Sequence, residues 1–430
     1  MKRIGWILLG IAGVILLPFS LIGILHTFPG TPVKRVSIAG AAESQPRLTD
    51  PLFRETAELF TGLRMTEGNE VEILLNDEVL RRLFADLRAA RSSIAIRTYY
   101  SLPGAVSDTF AAILTERARA GVPVLYLYDA IGSEFESGYL ARLRGAGVLA
   151  RPLRPVRWYN LNRAQNRSHV RAIVIDGRIG YTGGFGIADK WIGDGLRPES
   201  WRETSVRFVG PAVMSLQATF SIGWAEATGT LLASRGFFPA AGFSPAGPRI
   251  AGLLHTVPSQ GSTSAERFLV LSIAGAARTL YITNSYFVPD DDQRRLLVAA
   301  ARRGVDVRIL TAGRHTDMRS VRLAGRATYG ELLRGGVRIY EYSPSMIHAK
   351  TMVADGLWST VGTMNFDNRS AALNEESNLV MMDAGLGTRL DSIFVRDLRY
   401  SREILLDDFA RRPWYDRLLE WGATRMSRVL

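Results

Sequence analysis

The chain contains no cysteine, and that absence removes disulfide bonds, thiol catalysis and cysteine-based metal sites at once, leaving the redox compartment open. Histidine is nearly as scarce. Only His26, His169, His255, His315 and His348 occur among 430 residues, too few and too scattered for a histidine-rich metal site. Acidic residues are the minority charge: 41 Asp and Glu face 53 Lys and Arg, a surplus of +12 carried almost wholly by Arg. Such a surplus suits an anionic partner, whether a membrane surface, a phospholipid headgroup or a nucleic acid, and alone it does not choose among them. Charge is also missing from residues 4–25, directly after Met1-Lys2-Arg3. An uncharged apolar run of roughly twenty residues matches the thickness of a bilayer and predicts an N-terminal transmembrane anchor. The small-residue site Ala39-Gly40-Ala41 lies too far past this run for a cleaved signal peptide. Lys2 and Arg3 on one side, against Lys34 and Arg35 on the other, leave orientation open.

What is present is written twice. His169-Val170-Arg171-Ala172-Ile173-Val174-Ile175-Asp176 and His348-Ala349-Lys350-Thr351-Met352-Val353-Ala354-Asp355 share one pattern. Residues two apart on a strand point to the same side, so each copy presents an imidazole and a cation to one face, a phosphate-handling pair. The apolar run is β-prone, and Asp176-Gly177 and Asp355-Gly356 are hairpin-turn dipeptides. Both histidines are thereby expected at the open ends of buried hairpins.

The two stretches resemble the paired His-x-Lys-x4-Asp motifs of the phospholipase D superfamily, and the chain is similar to bacterial cardiolipin synthases over nearly its whole length. Each copy is followed by a Gly-rich return, Thr182-Gly183-Gly184-Phe185-Gly186 and Val361-Gly362-Thr363-Met364-Asn365. The first copy departs from the family in Arg171, where Lys is usual, and in Gly186, where the second copy has Asn365.

The surrounding sequence is duplicated too. Residues 71–75 read as a strand, with Asn76 placed to cap a helix whose apolar positions Val79, Leu80, Leu83, Phe84 and Leu87 share a face. A strand ending in Tyr99-Tyr100, a helix over 108–120, a buried strand over 122–128 and a helix over 139–143 follow. After a Pro/Gly/Ala-rich linker the order repeats: Thr263-Ser264-Ala265-Glu266 has capping-box spacing, and Tyr281-Ile282-Thr283-Asn284-Ser285-Tyr286 echoes the strand through Tyr99. Alternating helix and strand predict an α/β fold. The expected architecture is two tandem phospholipase D-like repeats related by pseudo-twofold symmetry, preceded by the transmembrane helix. The division is an anchor at 1–30, a juxtamembrane connection at 31–66 with one helix near 51–61, repeats at 67–237 and 250–396, a linker at 238–249, and a basic helical tail at 397–430. That tail reads as a terminal helix packed on the body; the other reading is an interfacial helix with Trp414 and Trp421 at headgroup depth.

Moving a phosphatidyl group requires a nucleophile at phosphorus, an acid for the departing alkoxide and positive charge around the non-bridging oxygens. The two histidines and two cations supply these without a metal or other cofactor. The resemblance implies His169 as nucleophile forming a phosphohistidine and His348 as general acid and then base, roles that are exchangeable on the residues alone. One imidazole is expected neutral and the other protonated. Lys350 and Arg171 are expected to clamp phosphate oxygens. Asp176 and Asp355 are an odd number of residues from their histidines and are expected to be structural. Glu203 and Glu376 match the family's downstream acidic positions and are the candidate imidazole orienters, with plain surface carboxylates as the other reading. Asn365 and Thr363 are expected to donate to the phosphate. For Asp367, Arg369 and His315 a loop is as good a reading as a site; His26 and His255 read as structural or exposed.

The function implied is a cardiolipin synthase-like phosphatidyltransferase joining two phosphatidylglycerols with release of glycerol, anchored by a single N-terminal pass in the bacterial inner membrane. The alternatives are a phospholipase D-type hydrolase and an impaired anionic-lipid binding protein. Nucleic acid is disfavoured as a partner by the anchor, and oligomeric state is not legible.

Overall fold

The computed structural model describes residues 46–158, 165–258 and 263–424, together with scattered positions before residue 46. The anchor expected over 4–25 lies largely outside the described residues. Among those described, no helix is long and apolar enough to cross a membrane.

Seventeen strands are described. The first half of the chain forms β1 (Thr66–Leu75), β2 (Ile94–Thr98), β3 (Val124–Asp129), β4 (Leu149–Leu153), β5 (Ala172–Ile175), β6 (Ile179–Gly183) and β7 (Thr204–Val209). The second forms β8 (Arg249–Thr256), β9 (Thr279–Asn284), β10 (Phe287–Val288), β11 (Asp306–Ala312), β12 (Arg338–Tyr342), β13 (Lys350–Ala354), β14 (Trp358–Gly362), β15 (Phe366–Asp367), β16 (Glu376–Met382) and β17 (Ser401–Ile404). Fifteen strands make one sheet, and β10 and β15 pair separately. Outward from the central β1–β8 pair the arms run β7, β6, β5, β2, β3, β4 on one side and β16, β14, β13, β9, β11, β12 on the other, with β17 added last. The strand order is therefore the same in both directions. β1 and β8 meet antiparallel, with Thr66 opposite Ala251 and Asn69 opposite Arg249.

Helices cover both faces, as an extensive sheet with buried strands requires. Those at Glu78–Ala89, Ala105–Arg119 and Tyr139–Gly145 bury one apolar cluster around Leu83, Phe110 and Tyr126. Those at Pro51–Thr61, Ser264–Gly275, Asp291–Arg302 and Arg319–Arg334 bury another around Phe53, Phe268 and Trp358. A third cluster joins the halves, with Val206, Phe208 and Phe220 packed with Leu253, Val361 and Leu379. The expected capping box is formed: Glu266 N donates to Thr263 Oγ1 at 3.1 Å and Thr263 N to Glu266 Oε2 at 2.8 Å.

Two expectations give way. Asn76 is not a helix cap; at φ 52° it turns its amide to Asp194 O (2.7 Å) and accepts from Glu203 N (3.0 Å), a tertiary use that overrides local capping preference. The boundary at 396 falls inside a helix, although the tail does end in the expected helix packed on the body, Trp414–Thr424. Helix Ala384–Leu398 runs past residue 396, and β17 extends the sheet by pairing antiparallel with β12.

The motif aspartates sit in tight hairpin turns. Asp176 and Gly177 (φ 54° and 60°), like Asp355 and Gly356 (φ 54° and 65°), have the two consecutive positive φ values of a type I′ turn. Each carboxylate accepts three backbone N–H groups of the segment entering the neighbouring strand: Arg91, Ser92 and Ser93 for Asp176, and Ala277, Arg278 and Thr279 for Asp355. Asp355→Ala is expected to cost about 2–3 kcal/mol by stranding these donors. Urea unfolding measures this, and Asp355→Asn, which keeps the acceptor oxygen and tolerates positive φ, should recover part of it.

Candidate active site

The motif histidines lie in the extended segments leading into β5 and β13, and each segment is stitched to the opposite half. His169 N donates to Glu375 O (2.9 Å) and Glu375 N to Arg167 O (2.9 Å); His348 N donates to Arg202 O (2.7 Å) and Arg202 N to Met346 O (2.9 Å). These reciprocal bridges fix which acid meets which imidazole. His169 Nδ1 lies 2.8 Å from Glu376 Oε2, and His348 Nδ1 lies 3.0 Å from Glu203 Oε2. Each half thus supplies the carboxylate for the other half's histidine. Both pairs are buried, His169 and His348 retaining 7% and 5% exposure.

The cations stand beside them. Lys350 Nζ is 3.0 and 3.1 Å from the two ring nitrogens of His348 and donates to Ser285 Oγ (2.8 Å). Arg171 reaches further: its Nε donates to Phe185 O (3.2 Å), its Nη1 to His169 O (2.9 Å), and its guanidinium faces the Tyr99 ring at 5.7 Å. By the β2–β5 and β9–β13 registers, Tyr99 occupies the place of Ser285. Lysine at position 171 would find the Tyr99 ring in place of a serine Oγ and would lose the guanidinium's two carbonyl contacts. Arg171→Lys is expected to lower kcat/KM about tenfold, and Arg171→Lys with Tyr99→Ser to recover most of it; steady-state kinetics on both variants checks this.

Around the carboxylates the halves differ. Glu376 accepts from Thr363 Oγ1 (2.6 Å) and Ser370 Oγ (2.7 Å). The Thr363 hydroxyl, expected at the phosphate, is committed to orienting Glu376 and to accepting from Ser377 N (2.9 Å). Glu203 accepts from Thr204 N (2.9 Å) and Trp191 Nε1 (3.4 Å). Gly184 stands opposite Thr363 in the duplication; a Cβ there would come 2.5 Å from Glu203 Oε2 and 2.7 Å from His348 O. A Cβ at Gly186 would come 2.9 Å from the Trp191 ring. The space given to Asn365 in one half is thus filled by an indole in the other. Asn365 itself is buried, with Oδ1 unpartnered among the described residues.

Electrostatics follow from burial. Desolvation, with Arg171 and Lys350 adding to it, pushes His169 well below the usual imidazole range; desolvation, then Lys350, Arg171 and His169, does the same to His348. Burial raises Glu203 and Glu376 to about 7 and lowers Lys350 to about 7. Both imidazoles are therefore held neutral, where one neutral and one protonated were expected. Four cationic or proton-carrying groups within one another's fields disfavour a further positive charge until an anion enters.

Other groups surround the pairs: for Arg369 a site was one of two open readings, whereas Lys190, Trp191 and Trp201 are not legible from the motifs. Arg369 depresses His169 electrostatically, and Lys190, at the matching place in the first half, donates to Tyr100 Oη (2.7 Å) and lies 4.5 Å from the Trp201 ring centre. Trp191 and Trp201 pack edge-on and tilted against His348 at 5.7 and 5.1 Å. Their signal was the longer segment between Gly186 and Glu203 than between Asn365 and Glu376. His315 is on the exposed 314–318 loop, within hydrogen-bond reach of Arg314, and His255 lies 4.0 Å from Glu375, outside the pairs.

A family profile described as cardiolipin synthase, PLD-like domain, matches residues 269–398. A cardiolipin synthase of Geobacillus kaustophilus is 33% identical over 366 residues, 84% of this chain and 73% of that protein. Cardiolipin synthase A of Pseudomonas putida is 30% identical over 378 residues, 85% and 77% of the two chains. The crystal structure of phosphatidylserine synthase from Haemophilus influenzae superposes with a TM-score of 0.66 at 11% identity, covering 88% of this chain and 99% of that one, a likeness of fold. The α/β fold is phospholipase D-like, and the chain belongs to the cardiolipin synthase family of phospholipase D-like proteins.

Proposed function

We propose that this protein is a phosphatidyltransferase that makes cardiolipin from two phosphatidylglycerols. The observation that carries the reading is the pair of buried His–Glu contacts exchanged between the halves, each beside a cation. In the first step His169 Nε2 attacks phosphorus, the bond to the leaving glycerol oxygen breaks, and His348 gives that oxygen its proton. In the second, His348 takes the proton of an incoming phosphatidylglycerol hydroxyl as its oxygen attacks phosphorus and the P–N bond breaks. Glu376 and Glu203 hold each imidazole with Nδ1–H toward the carboxylate, leaving Nε2 for the reaction. Arg171, Lys350 and the Asn365 amide face the charge that develops on the non-bridging oxygens. The anionic phosphodiester offsets the positive field of Arg171 and Lys350, and its arrival is what lets His348 carry a proton.

The palindromic strand order and the matched motif positions support two tandem repeats, 67–237 and 250–396, related by a pseudo-twofold axis through the β1–β8 pair. The basic surplus and the apolar run at 4–25 support work at the bacterial inner membrane. Detergent-solubilised protein given purified phosphatidylglycerol should yield cardiolipin and an equal amount of free glycerol by mass spectrometry. Phosphatidic acid in place of cardiolipin would make water the acceptor, and absence of both products from folded protein would overturn the reading.

A further inference from the structure

The last described helix, Trp414–Thr424, is packed with its amphipathicity reversed. Its buried positions are Glu420 and Ala423. Glu420, 1% exposed, is ion-paired with Arg326 (3.1 Å) and Arg412 (2.8 Å), and Ala423 joins a small cluster with Val288, Val321 and Ala324. The apolar side faces outward: Trp414, Tyr415, Leu418 and Leu419 are 73%, 53%, 56% and 48% exposed. An amphipathic surface helix ordinarily buries its apolar stripe. Here a charge is spent inside to hold the helix while large apolar groups stand outside, and a contiguous apolar surface of this kind marks a contact with something apolar.

Position identifies the occupant. The helix lies along Arg319–Arg334, with Phe409 ahead of it against Tyr329 and its C-terminal end over Val321 and Ala324. That end approaches the active site, because Val288 follows Tyr286, whose ring packs on His348 at 6.2 Å and whose hydroxyl donates to Asp317 at 2.8 Å. The next residue, Met318, is itself 44% exposed. Arg411 and Arg417 are exposed next to these residues, Arg411 paired with Asp408 at 3.0 Å and Arg417 donating to Ala410 O, and the chain as a whole carries a surplus of +12. Tryptophan and tyrosine with flanking arginine is the composition of a helix lying at headgroup depth on an anionic leaflet.

We propose that the outward face of helix Trp414–Thr424 docks the catalytic cleft on an anionic phospholipid bilayer, with Trp414, Tyr415, Leu418 and Leu419 entering the interface beside the route of substrate to His348. The choice of lipid rests on the phosphatidyltransferase reading; the surface itself does not.

The absence of cysteine makes a direct test available. Full-length Leu418→Cys carries one thiol, which takes an environment-sensitive fluorophore. Leu149→Cys, on edge strand β4 at the far end of the sheet and 47% exposed, is the control. With phosphatidylglycerol vesicles the probe at 418 should shift to the blue and be quenched by brominated lipid, far less with phosphatidylcholine, and the probe at 149 should do neither. A probe at 418 that stays in water, an equal response to both lipids, or a shift that follows protein concentration without lipid would overturn the proposal, the last in favour of contact between copies. In kinetics, Trp414→Gln with Leu418→Gln should raise KM for vesicular phosphatidylglycerol about fivefold and leave turnover of monomeric short-chain phosphatidylglycerol unchanged; equal loss on both would make the helix merely structural. If wild-type protein forms no product from either substrate while the probe responds, the reaction reading falls and the docking surface stands.

Discussion

Alanine at His169 is expected to lower cardiolipin formation by about 10⁴-fold or more, and alanine at His348 by a comparable factor on the natural substrate. The two losses have different causes. Without His169 phosphorus loses its nucleophile, because His348 is committed to proton transfer and Lys350 is held on Ser285 and His348. Without His348 the nucleophile remains, but glycerol alkoxide must leave unprotonated. A phosphodiester whose leaving group is stable as an anion, such as p-nitrophenolate, does not need that proton in the first step. His348→Ala should therefore release p-nitrophenol in a burst and accumulate phosphohistidine on the chain, while His169→Ala should do neither. Rapid-quench mass spectrometry of the intact protein reads both. The reverse pattern would exchange the roles of the two histidines, and phosphohistidine in neither variant would remove the covalent intermediate.

The motifs reveal the reacting atoms but not how they are held. A strand's period of two tells which residues share a face within one segment, and that sufficed to group His169 with Arg171 and His348 with Lys350. Which strand lies opposite is not encoded in that period. Glu203 and Glu376 were legible as acids downstream of each motif; that each serves the histidine of the other half follows only from the bridges Ser168–Glu375 and Arg202–Ile347. The same limit explains Asn76, where a local capping signal gave way to contacts 118 and 127 residues distant in sequence. It explains Trp191 as well. Gly186 read as the lack of an amide, whereas in three dimensions its missing side chain admits an indole that hydrogen-bonds Glu203. Segments governed by near neighbours were the legible ones: the capping box at Thr263, the Asp-Gly turns and helix Pro51–Thr61 all depend on residues within a few positions of each other.

Glu376→Gln should separate activity from stability. Burial raises this carboxyl from 4.5 to about 7. A raised carboxyl means the folded chain binds more protons than the unfolded chain between those values, so the stability present below about 4.5 is lost as pH rises through about 7. Above that pH the native state carries the full cost of a buried anion. A neutral amide removes the cost, and the variant is expected to gain on the order of 1–3 kcal/mol at pH 8, offset in part by weaker bonds from Thr363 and Ser370, and to gain little at pH 4. Activity should move the other way, by about 10³-fold. If the amide nitrogen faces His169, it donates to Nδ1, drives the proton to Nε2 and blocks the attacking lone pair. If the amide oxygen faces His169, the nitrogen is set against the Ser370 hydroxyl and the Asn374 amide, both now donors to Glu376, and the negative charge that balances a phosphorylated imidazole is gone. Denaturant unfolding at the two pH values, beside single-turnover rates, tests both halves. A variant that is more stable at pH 8 and nearly inactive makes Glu376 a positioning residue held at the expense of stability; one that loses stability equally at both pH values makes it a structural carboxylate instead.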